Sequence, residues 1–405
     1  MENDTQFLQN QYKLKDKKVV LETFKDIVAK TKQLHLWVDR KEESTKWNSI
    51  IKEASQIDKN YIVFIIGSYG RGKSLSILKI LDETRKYSNI SPVYLNFLGE
   101  EKSSTGLSFI FKIFKNLDFY KLSKGKKHGQ IKKAIDKIPE PYEEVRKILH
   151  RIYFGPQKYG LAFLTDDDLD FQKKEKSDLS KNALFFLRGE IKPSATLMKE
   201  LGISRKIDNI DLGKKYLAGI LFFIKNLGYH TLLLGIDEFE YLFSLVPKSQ
   251  QSLYIALLRG LYDLSSELDI DPQDLANIVF FISISESGWS SLKEMETNEA
   301  PIGGPTQPLL DRVDAKITLS VFNKESTSDL ISKRLSYNRI DNSMLDEPLI
   351  PFSEDFVDYI WDKTGGEPRM ILDRCGQVLD AGLSERVQKL TKSFAETVLE
   401  KRGFQ

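Results

Sequence analysis

Short apolar runs alternate with stretches of helical periodicity along most of the chain. Five of these runs have the length and the β-branched composition of strands that are buried on both faces. They cover residues 61–66, 92–97, 231–236, 277–284 and 315–320. Residues 212–227 carry apolar positions at the spacing of an amphipathic helix. Strands that alternate with helices predict an α/β fold built on a parallel five-stranded sheet flanked by helices.

Both ends of the chain carry helical patterns and no strand pattern. Residues 1–57 predict an N-terminal helical segment, and residues 321–405 predict a C-terminal helical lid. The region between them, 58–320, contains all five strand runs and is predicted to be the core. A mostly helical insert of less regular pattern is expected within this core at about 101–209.

The composition says little about function but indicates the cellular compartment that we expect. The 405 residues are 41% hydrophobic and 29% charged, as in ordinary globular proteins, and the net charge is +2. The single cysteine, Cys375, excludes an internal disulfide and fits a reducing compartment. No run approaches the roughly 18–20 apolar residues of a membrane span, and the polar N-terminus is unlike a signal peptide. We therefore expect a cytoplasmic protein that does not engage a membrane.

Residues 67–74 match the phosphate-loop pattern G-x-x-x-x-G-K-[ST]. A strand run precedes them and apolar residues at helical spacing follow them, and this context argues against a chance match in a glycine-rich turn. Glycines permit positive φ angles, so that backbone N–H groups and the helix amino terminus can bind phosphate oxygens. In this pattern the lysine contacts the β- and γ-phosphates of a nucleotide, and the serine hydroxyl binds Mg²⁺. The predicted binding residues are Gly67, Ser68, Tyr69, Gly70, Arg71, Gly72, Lys73 and Ser74, with Ser74 also a metal ligand.

The third strand run leads into Asp237 and Glu238. An aspartate after an apolar strand can hold Mg²⁺ opposite Ser74, the arrangement known as Walker B. The glutamate that follows can polarise the water that attacks the γ-phosphate. Acids placed at a helix amino terminus by the helix dipole are the alternative interpretation. The upstream loop favours Walker B, with Asp237 as a metal ligand and Glu238 as the catalytic base.

Three more side chains are catalytic candidates. Ser285 follows the fourth strand run, where a polar group can position the attacking water, whereas Ser283 is expected on the core side of the pleat. A polar strand end without a catalytic role is the alternative for Ser285. Arg312 precedes the fifth run, and Arg369 opens a helix after the Gly-Gly-Glu-Pro sequence at 365–368. Either arginine can contact the γ-phosphate, and a surface ion pair is the alternative for both.

Taken together, these residues resemble the AAA+ ATPase superfamily over about 58–380. The likeness rests on residues 67–74, residues 232–238, Ser285, Arg312 and residues 365–369. The Gly-Gly-Glu-Pro-Arg sequence at 365–369 is similar to the Orc/Cdc6 and STAND branches. Three further runs are Phe-Leu-Arg-Gly-Glu at 186–190, Leu-Gly-Ile at 201–203 and Asn-Leu-Gly-Tyr-His-Thr-Leu-Leu-Leu-Gly-Ile-Asp-Glu at 226–238. Over about 185–320 these runs give a closer resemblance, to the ATP-binding proteins of BREX-type bacterial phage-defence systems.

The resemblance implies a role for each matching residue. By this resemblance Lys73 binds phosphate, Ser74 and Asp237 bind Mg²⁺, and Glu238 is the catalytic base. Ser285 matches sensor 1, Arg312 matches the arginine finger that acts across subunits, and Arg369 matches sensor 2. Sensor 1 is more often Asn or Thr, so the serine puts efficient hydrolysis in question. Orc/Cdc6 proteins continue into a winged helix, whereas this chain ends about 20 residues after its lid core, so a dedicated DNA-reading domain is not expected.

The predicted function is that of a Mg²⁺-dependent ATPase that converts ATP and water to ADP and phosphate. It is expected to assemble as a homo-oligomeric ring or filament through nucleotide-bridged interfaces, and to act on DNA or a DNA-bound partner in anti-phage defence with other proteins of such a system. The alternative is an ATP-gated scaffold with slow or no hydrolysis. A metabolic kinase fits less well, because kinases of this type lack the series of strand, sensor and lid.

The predicted insert contains a basic stretch from Lys121 to Lys137 with seven lysines. Aromatic residues are sparse there, so contacts with double-stranded DNA would be to phosphates, independent of sequence and weakened by salt. A solvated helix face and a docking site for an acidic partner protein are the alternatives.

Overall fold

The computed structural model describes residues 4–15, 34–38, 40–97, 106–155, 178–298, 309–340 and 347–403. Residues 16–33 of the predicted N-terminal segment lie outside the described residues, as do residues 101–105 and 156–177 of the predicted insert.

Five strands form the sheet that the apolar runs predicted. They are β1 (Tyr61–Ile66), β2 (Ile90–Asn96), β3 (Thr231–Asp237), β4 (Asn277–Ile284) and β5 (Ala315–Thr318). Their order across the sheet is β2-β3-β4-β1-β5, and β3 pairs in parallel with both β2 and β4. Every residue of β1, β3 and β4 is buried, as expected where helices cover both faces of a parallel sheet.

Helices fill the chain between the strands and after β5. They are α1 (Asp4–Gln11), α2 (Lys41–Ala54), α3 (Lys73–Glu83), α4 (Gly106–Asn116), α5 (Phe119–Ser123), α6 (His128–Asp136), α7 (Glu143–Phe154), α8 (Asp178–Leu187), α9 (Ala195–Leu201), α10 (Ile210–Asn226), α11 (Tyr241–Leu245), α12 (Lys248–Tyr262), α13 (Leu264–Glu267), α14 (Glu286–Asn298), α15 (Lys324–Tyr337), α16 (Glu354–Thr364), α17 (Pro368–Ser384) and α18 (Lys392–Lys401). The predicted fold, a parallel five-stranded sheet with flanking helices and a helical C-terminal part, is confirmed.

The chain divides into two compact units, each assembled from separate stretches of sequence. The first unit combines Met1–Lys46, Ile66–Lys79 and Ile317–Gln405, and the second combines Trp47–Ile65 and Ile80–Lys316. The phosphate loop therefore groups with the C-terminal helices, and the end of β3 groups with the helices α4 to α14. The three-part division into 1–57, 58–320 and 321–405 stays a prediction.

The second unit is built around a helix that is buried along most of its length. Helix α10 begins where the side chain of Asn209 accepts the N–H of Leu212, and its residues from Tyr216 to Ile224 are all buried. Contacts of α10 with α4, α6 and α7 enclose it among the helices of the predicted insert. The apolar run at 212–227 is thus a core helix rather than a surface one.

The first unit has its own core among the C-terminal helices. Buried residues of α15 to α18 pack there together with side chains of the N-terminal segment, including Phe7, Leu8 and Tyr12. The hydroxyl of Tyr12 donates to the carbonyl of Val387, which ties α1 to the loop before α18. None of the helices in the described ranges is long and apolar enough to span a membrane.

Candidate functional site

The phosphate loop leaves β1 at Ile66 and enters α3 at Lys73. Gly70 and Gly72 have φ angles of +93° and +89°, which side chains with a Cβ rarely adopt. A Cβ added at Gly72 would meet no atom within 4 Å, so backbone conformation alone requires glycine there. Positive φ angles were expected at Gly67 and Gly72; the structure has them at Gly70 and Gly72 and not at Gly67, and phosphate binding stays a prediction.

Lys73 folds its ammonium group back into this loop. Its Nζ donates to the carbonyl oxygens of Gly67, at 2.9 Å, and Ser68, at 3.3 Å, and the residue is only 9% exposed. Ser74 is half-buried in the first turn of α3. A cation therefore lies where phosphate oxygens could take the place of the two carbonyl oxygens.

Arg71 ties the loop to two other parts of the first unit. Its Nε donates to Oε1 of Glu367 at 2.9 Å, and its Nη1 donates to the carbonyl of Leu319 at 3.3 Å. The carbonyl of Arg71 in turn accepts a hydrogen bond from Nη2 of Arg40 at 2.9 Å. The loop is thus held to the segment after β5 and to the residue before α17.

Arg40 is a site residue that sequence reasoning missed. It is buried, donates also to the carbonyl of Ser320, and has its guanidinium 4.6 Å from the ring centre of Phe322. Burial lowers the pKa of Arg40, and the adjacent Glu43 carboxylate opposes that shift. No local motif surrounds Arg40, so no sequence signal marked it.

Arg369 lies on the phosphate loop. It occupies the first turn of α17, and its guanidinium carbon is 4.5 Å from the ring centre of Tyr69. A Cβ added at Gly70 would approach the Cβ of Arg369 to 2.9 Å, so loop backbone and helix start are in close contact. The structure brings these residues together, and the sensor role of Arg369 stays a prediction.

Backbone conformation requires glycine at both positions before α17, and close packing requires it also at Gly366. Gly365 ends α16 in the left-handed conformation, and Gly366 has a φ of +74°. A Cβ at Gly366 would lie 2.1 Å from the carbonyl oxygen of Phe322, which also accepts the indole N–H of Trp361 at 2.8 Å. Glycine at 366 therefore lets the helix start approach the segment after β5.

In the second unit, hydrogen bonds occupy both oxygens of the Asp237 carboxylate. Oδ1 accepts from the Ser283 hydroxyl at 2.6 Å and from the backbone N–H of Glu238 at 3.0 Å. Oδ2 accepts from the Tyr94 hydroxyl at 2.9 Å. Burial, and then the negative charge of Asp237, raise the pKa of Tyr94, so this hydroxyl remains a donor. Asp237, 2% exposed, is held in one orientation.

Glu238 has a strained backbone. Its φ of +61° is unusual for a residue that carries a side chain. Its N–H donates to Oγ of Ser283 at 3.1 Å as well as to Asp237, and these bonds fix the turn. Strain of this kind occurs at functional sites, which fits but does not test the predicted catalytic base.

The two serines at the end of β4 make different hydrogen bonds. Ser283 is buried as expected, but its hydroxyl bonds to Asp237. The Ser285 hydroxyl accepts the N–H of Gly288 at 3.1 Å at the start of α14 and lies 3.2 Å from Oγ of Ser287. Ser285 thus caps a helix, and its sensor role stays a prediction.

Arg312 is paired within its own unit. Its Nε and Nη2 lie 2.8 Å and 2.7 Å from Oδ2 of Asp263, a hydrogen bond that raises the pKa of Arg312. Two residues later, Asp314 accepts the N–H of Ile62 at 2.9 Å, which places this segment beside the amino end of β1. The ion pair that sequence reasoning held as the alternative is present, and the finger role is untested.

The basic stretch spans α5, α6 and the turns around them. Six of its seven lysines are exposed, and the remaining one, Lys126, is half-buried. Apolar residues such as Leu122, Ile131 and Ile135 anchor the two helices to the unit. The stretch is therefore a charged surface carried on ordered helices.

One known family matches part of the chain. Residues 123–283, less than half of the length, match the family described as BREX system ATP-binding protein BrxC/D. No protein of curated function is similar to the chain.

Several solved structures are also similar. ORC2 of Aeropyrum pernix is 13% identical with a TM-score of 0.44, and the match covers 96% of this chain and 72% of that one. A Drosophila ORC structure, bound to DNA, is 12% identical with a TM-score of 0.43, covering 95% and 70%. The Holliday junction branch migration motor RuvB of Thermotoga maritima is 11% identical with a TM-score of 0.38, covering 90% and 70%. The family match over residues 123–283 confirms the resemblance to BREX ATP-binding proteins that the sequence predicted.

Proposed function

We propose that the chain binds ATP at residues 67–74 and hydrolyses it. The observation that carries this proposal is the loop between β1 and α3, with Lys73 turned into it and positive φ angles at Gly70 and Gly72. Phosphate oxygens suit this setting, because a buried cation and the positive end of a helix coincide there. The matched family is named for ATP binding, which supports the choice of nucleotide.

Mg²⁺ is the metal proposed to accompany the nucleotide. Ser74 and Asp237 offer a hydroxyl and a carboxylate, the hard oxygen ligands that this ion prefers, so the residues present fit it. The bound ion would neutralise charge on the phosphate oxygens. The three hydrogen bonds on Asp237 hold its carboxylate in one orientation in advance of metal binding.

Glu238 is the proposed general base. A carboxylate next to the proposed metal ligand can take a proton from the attacking water, and such a group contributes about 10²- to 10⁴-fold to a rate. The N–H of Glu238 donates to Asp237 and Ser283, and these bonds restrict the positions that its side chain can take. Arg369, lying on the loop, would meet charge that develops on the γ-phosphate.

An ATP-gated scaffold with slow hydrolysis is the second candidate. The observation that favours it is the Ser285 hydroxyl, which already caps α14 through Gly288. A hydroxyl used in a cap is less available to position water, so binding without rapid turnover is a coherent outcome. The two candidates share the nucleotide loop and differ in rate.

Arg312 is proposed to act on the nucleotide of a neighbouring copy in a homo-oligomer. Its guanidinium pairs with Asp263, and Asp314, two residues after it, accepts the N–H of Ile62 in β1. Mixing Arg312→Ala chains with Glu238→Gln chains should restore part of the activity, since one interface then pairs an intact base with an intact arginine. Mixed pools that co-assemble and stay inactive at every ratio would contradict action across subunits.

Double-stranded DNA is the proposed partner of the basic stretch, in a defence system of the BREX type. Exposed lysines on two anchored helices and on the turns beside them offer sequence-independent phosphate contacts. Changing Lys124, Lys126, Lys127, Lys132 and Lys133 to Glu should abolish DNA binding at low salt. Reversing exposed lysines elsewhere, such as Lys363, Lys389 and Lys401, controls for net charge. DNA binding that survives the five changes, or none at low salt in the unchanged chain, would remove the stretch from the mechanism.

Phosphate release in the presence and absence of DNA, with the mass of the assembly in each nucleotide state, tests the function as a whole. An ATPase of the proposed kind should release phosphate only with Mg²⁺ and should assemble with ATP. Binding and assembly without release would select the scaffold, and a chain that binds no ATP would contradict both.

A further inference from the structure

The phosphate loop carries an aromatic side chain on its outer surface. Tyr69 is 78% exposed, more than any other large hydrophobic side chain in the described ranges. Single exposed apolar residues are common and need no explanation. This one differs because the guanidinium of Arg369 rests on its ring, 4.5 Å from the ring centre.

The contact extends below the tips of the two side chains. A Cβ at Gly70 would come within 2.9 Å of the Cβ of Arg369, so the loop backbone touches the first turn of α17. Arg71, the next residue of the loop, binds Glu367 at 2.9 Å, just before the same helix. The helix start therefore meets the loop at two points, Tyr69 with Arg369 and Arg71 with Glu367.

The ring contact leaves the arginine able to bind phosphate. A guanidinium has five N–H donors, and the face of an aromatic ring attracts its charge without acting as an ordinary acceptor. Across the described residues, no carboxylate pairs with Arg369. The ring thus limits where the cation can lie while its donors remain for phosphate oxygens.

We propose that Tyr69 is a positioning residue that holds Arg369 over the phosphate loop and so favours a triphosphate over a diphosphate. The inference rests on the proposed ATP binding at residues 67–74 and adds a residue that sets nucleotide specificity. The chemical feature recognised through Tyr69 and Arg369 is the terminal phosphate, which ADP lacks. The neighbouring pair of Arg71 and Glu367 holds the helix start in place for either nucleotide.

Calorimetry with ADP and with a non-hydrolysable ATP analogue, both with Mg²⁺, tests the inference. Tyr69→Leu should weaken binding of the ATP analogue about two- to fivefold more than it weakens binding of ADP, the size expected of an exposed cation–π contact. Tyr69→Phe keeps the aromatic face and should retain the preference for the triphosphate. Tyr337→Leu, at another exposed tyrosine of the same unit, controls for the general effect of losing such a ring.

A double-mutant cycle separates positioning from mere packing. Arg369→Ala should remove the preference for the ATP analogue, and adding Tyr69→Leu to it should cost nothing further. Equal loss of ADP and ATP affinity in Tyr69→Leu, or additive losses in the double variant, would overturn the inference. If the unchanged chain binds the ATP analogue more tightly than ADP and Tyr69→Leu keeps the same preference, the role of Tyr69 alone is overturned. An unchanged chain that binds neither nucleotide would overturn the proposed function, and this inference with it.

Discussion

In the second unit, the Asp237 carboxylate is almost fully buried and accepts hydrogen bonds from Ser283, Glu238 and Tyr94. In the first unit, the Arg369 guanidinium lies on the exposed ring of Tyr69. One charged group is fixed by several short bonds away from water. The other is placed at the surface by one cation–π contact of its guanidinium.

The two environments differ in strength as well as in number of contacts. A hydrogen bond to a charged group contributes about 1.5–3 kcal/mol, and an exposed cation–π contact about 0.5–1 kcal/mol. The Asp237 carboxylate is therefore held against displacement, whereas Arg369 can shift at small cost. A proposed metal ligand benefits from fixed geometry, and a group that must respond to the presence or absence of one phosphate benefits from mobility.

Replacing the lysine of the loop should have the largest effect. Lys73→Ala removes the cation that bonds to Gly67 and Ser68, and ATP affinity measured by calorimetry should fall by about 100-fold or more. Lys115→Ala, at an exposed lysine of α4, is the matched control. Unchanged affinity in Lys73→Ala would contradict the assignment of the phosphate loop.

The pair Ser283→Ala and Ser285→Ala sharpens the comparison on the Asp237 side. Ser283→Ala leaves the buried carboxylate short of a donor and should cost about 1–3 kcal/mol of unfolding free energy in urea, with a loss of ATP turnover. Ser285→Ala removes a helix cap and should cost about 1 kcal/mol. Turnover that falls further in Ser285→Ala than in Ser283→Ala would instead support the sensor role predicted for Ser285.

Tyr94→Phe should have a somewhat smaller effect, because the Tyr94 hydroxyl only donates to Asp237, whereas the Ser283 hydroxyl also accepts the N–H of Glu238. The lost hydroxyl leaves Oδ2 without its donor while the ring stays in place. We expect the increase in ATP affinity on adding Mg²⁺ to shrink by about tenfold or less, while affinity without Mg²⁺ is unchanged. A loss of affinity that is the same with and without Mg²⁺ would show that Tyr94 does not act through Asp237.

The strain at Glu238 predicts the smallest effect. Glycine adopts a φ of +61° without penalty, whereas alanine does not, so Glu238→Gly should be about 1 kcal/mol more stable than Glu238→Ala. Urea unfolding of the two variants measures the difference, and both lack the carboxylate. A Glu238→Ala variant as stable as Glu238→Gly would show that the turn is not strained.

Much of the fold could be predicted because buried parallel strands leave continuous apolar runs, as in β3 and β4. Element ends were less accurate. The second run was expected to begin at Pro92, but β2 begins at Ile90, since a proline is tolerated in an edge strand. The C-terminal part was predicted as helical without its breaks, and one of them lies before α18, where Arg386 takes a positive φ and Thr391 caps the helix.

The residues of the candidate site also differ in whether a local sequence pattern marks them. The loop at 67–74 and the Gly-Gly-Glu-Pro-Arg sequence are contiguous motifs and could be recognised. Arg40, Tyr94 and Glu367 bond to partners 31, 143 and 296 positions away, and no spacing along the chain marks such pairs. Only Glu367 had a local signal, because it lies inside the recognised motif.

One measurement tests the central claim most directly, namely ATP binding and phosphate release by the unchanged chain and by Glu238→Gln. The amide keeps the size of the side chain but cannot accept a proton. The variant should therefore bind ATP as the unchanged chain does, and its rate of phosphate release should fall by a factor of about 100 or more. Glu238→Gln that hydrolyses ATP at the unchanged rate would contradict the assignment of the base. An unchanged chain that binds no ATP would contradict the account itself.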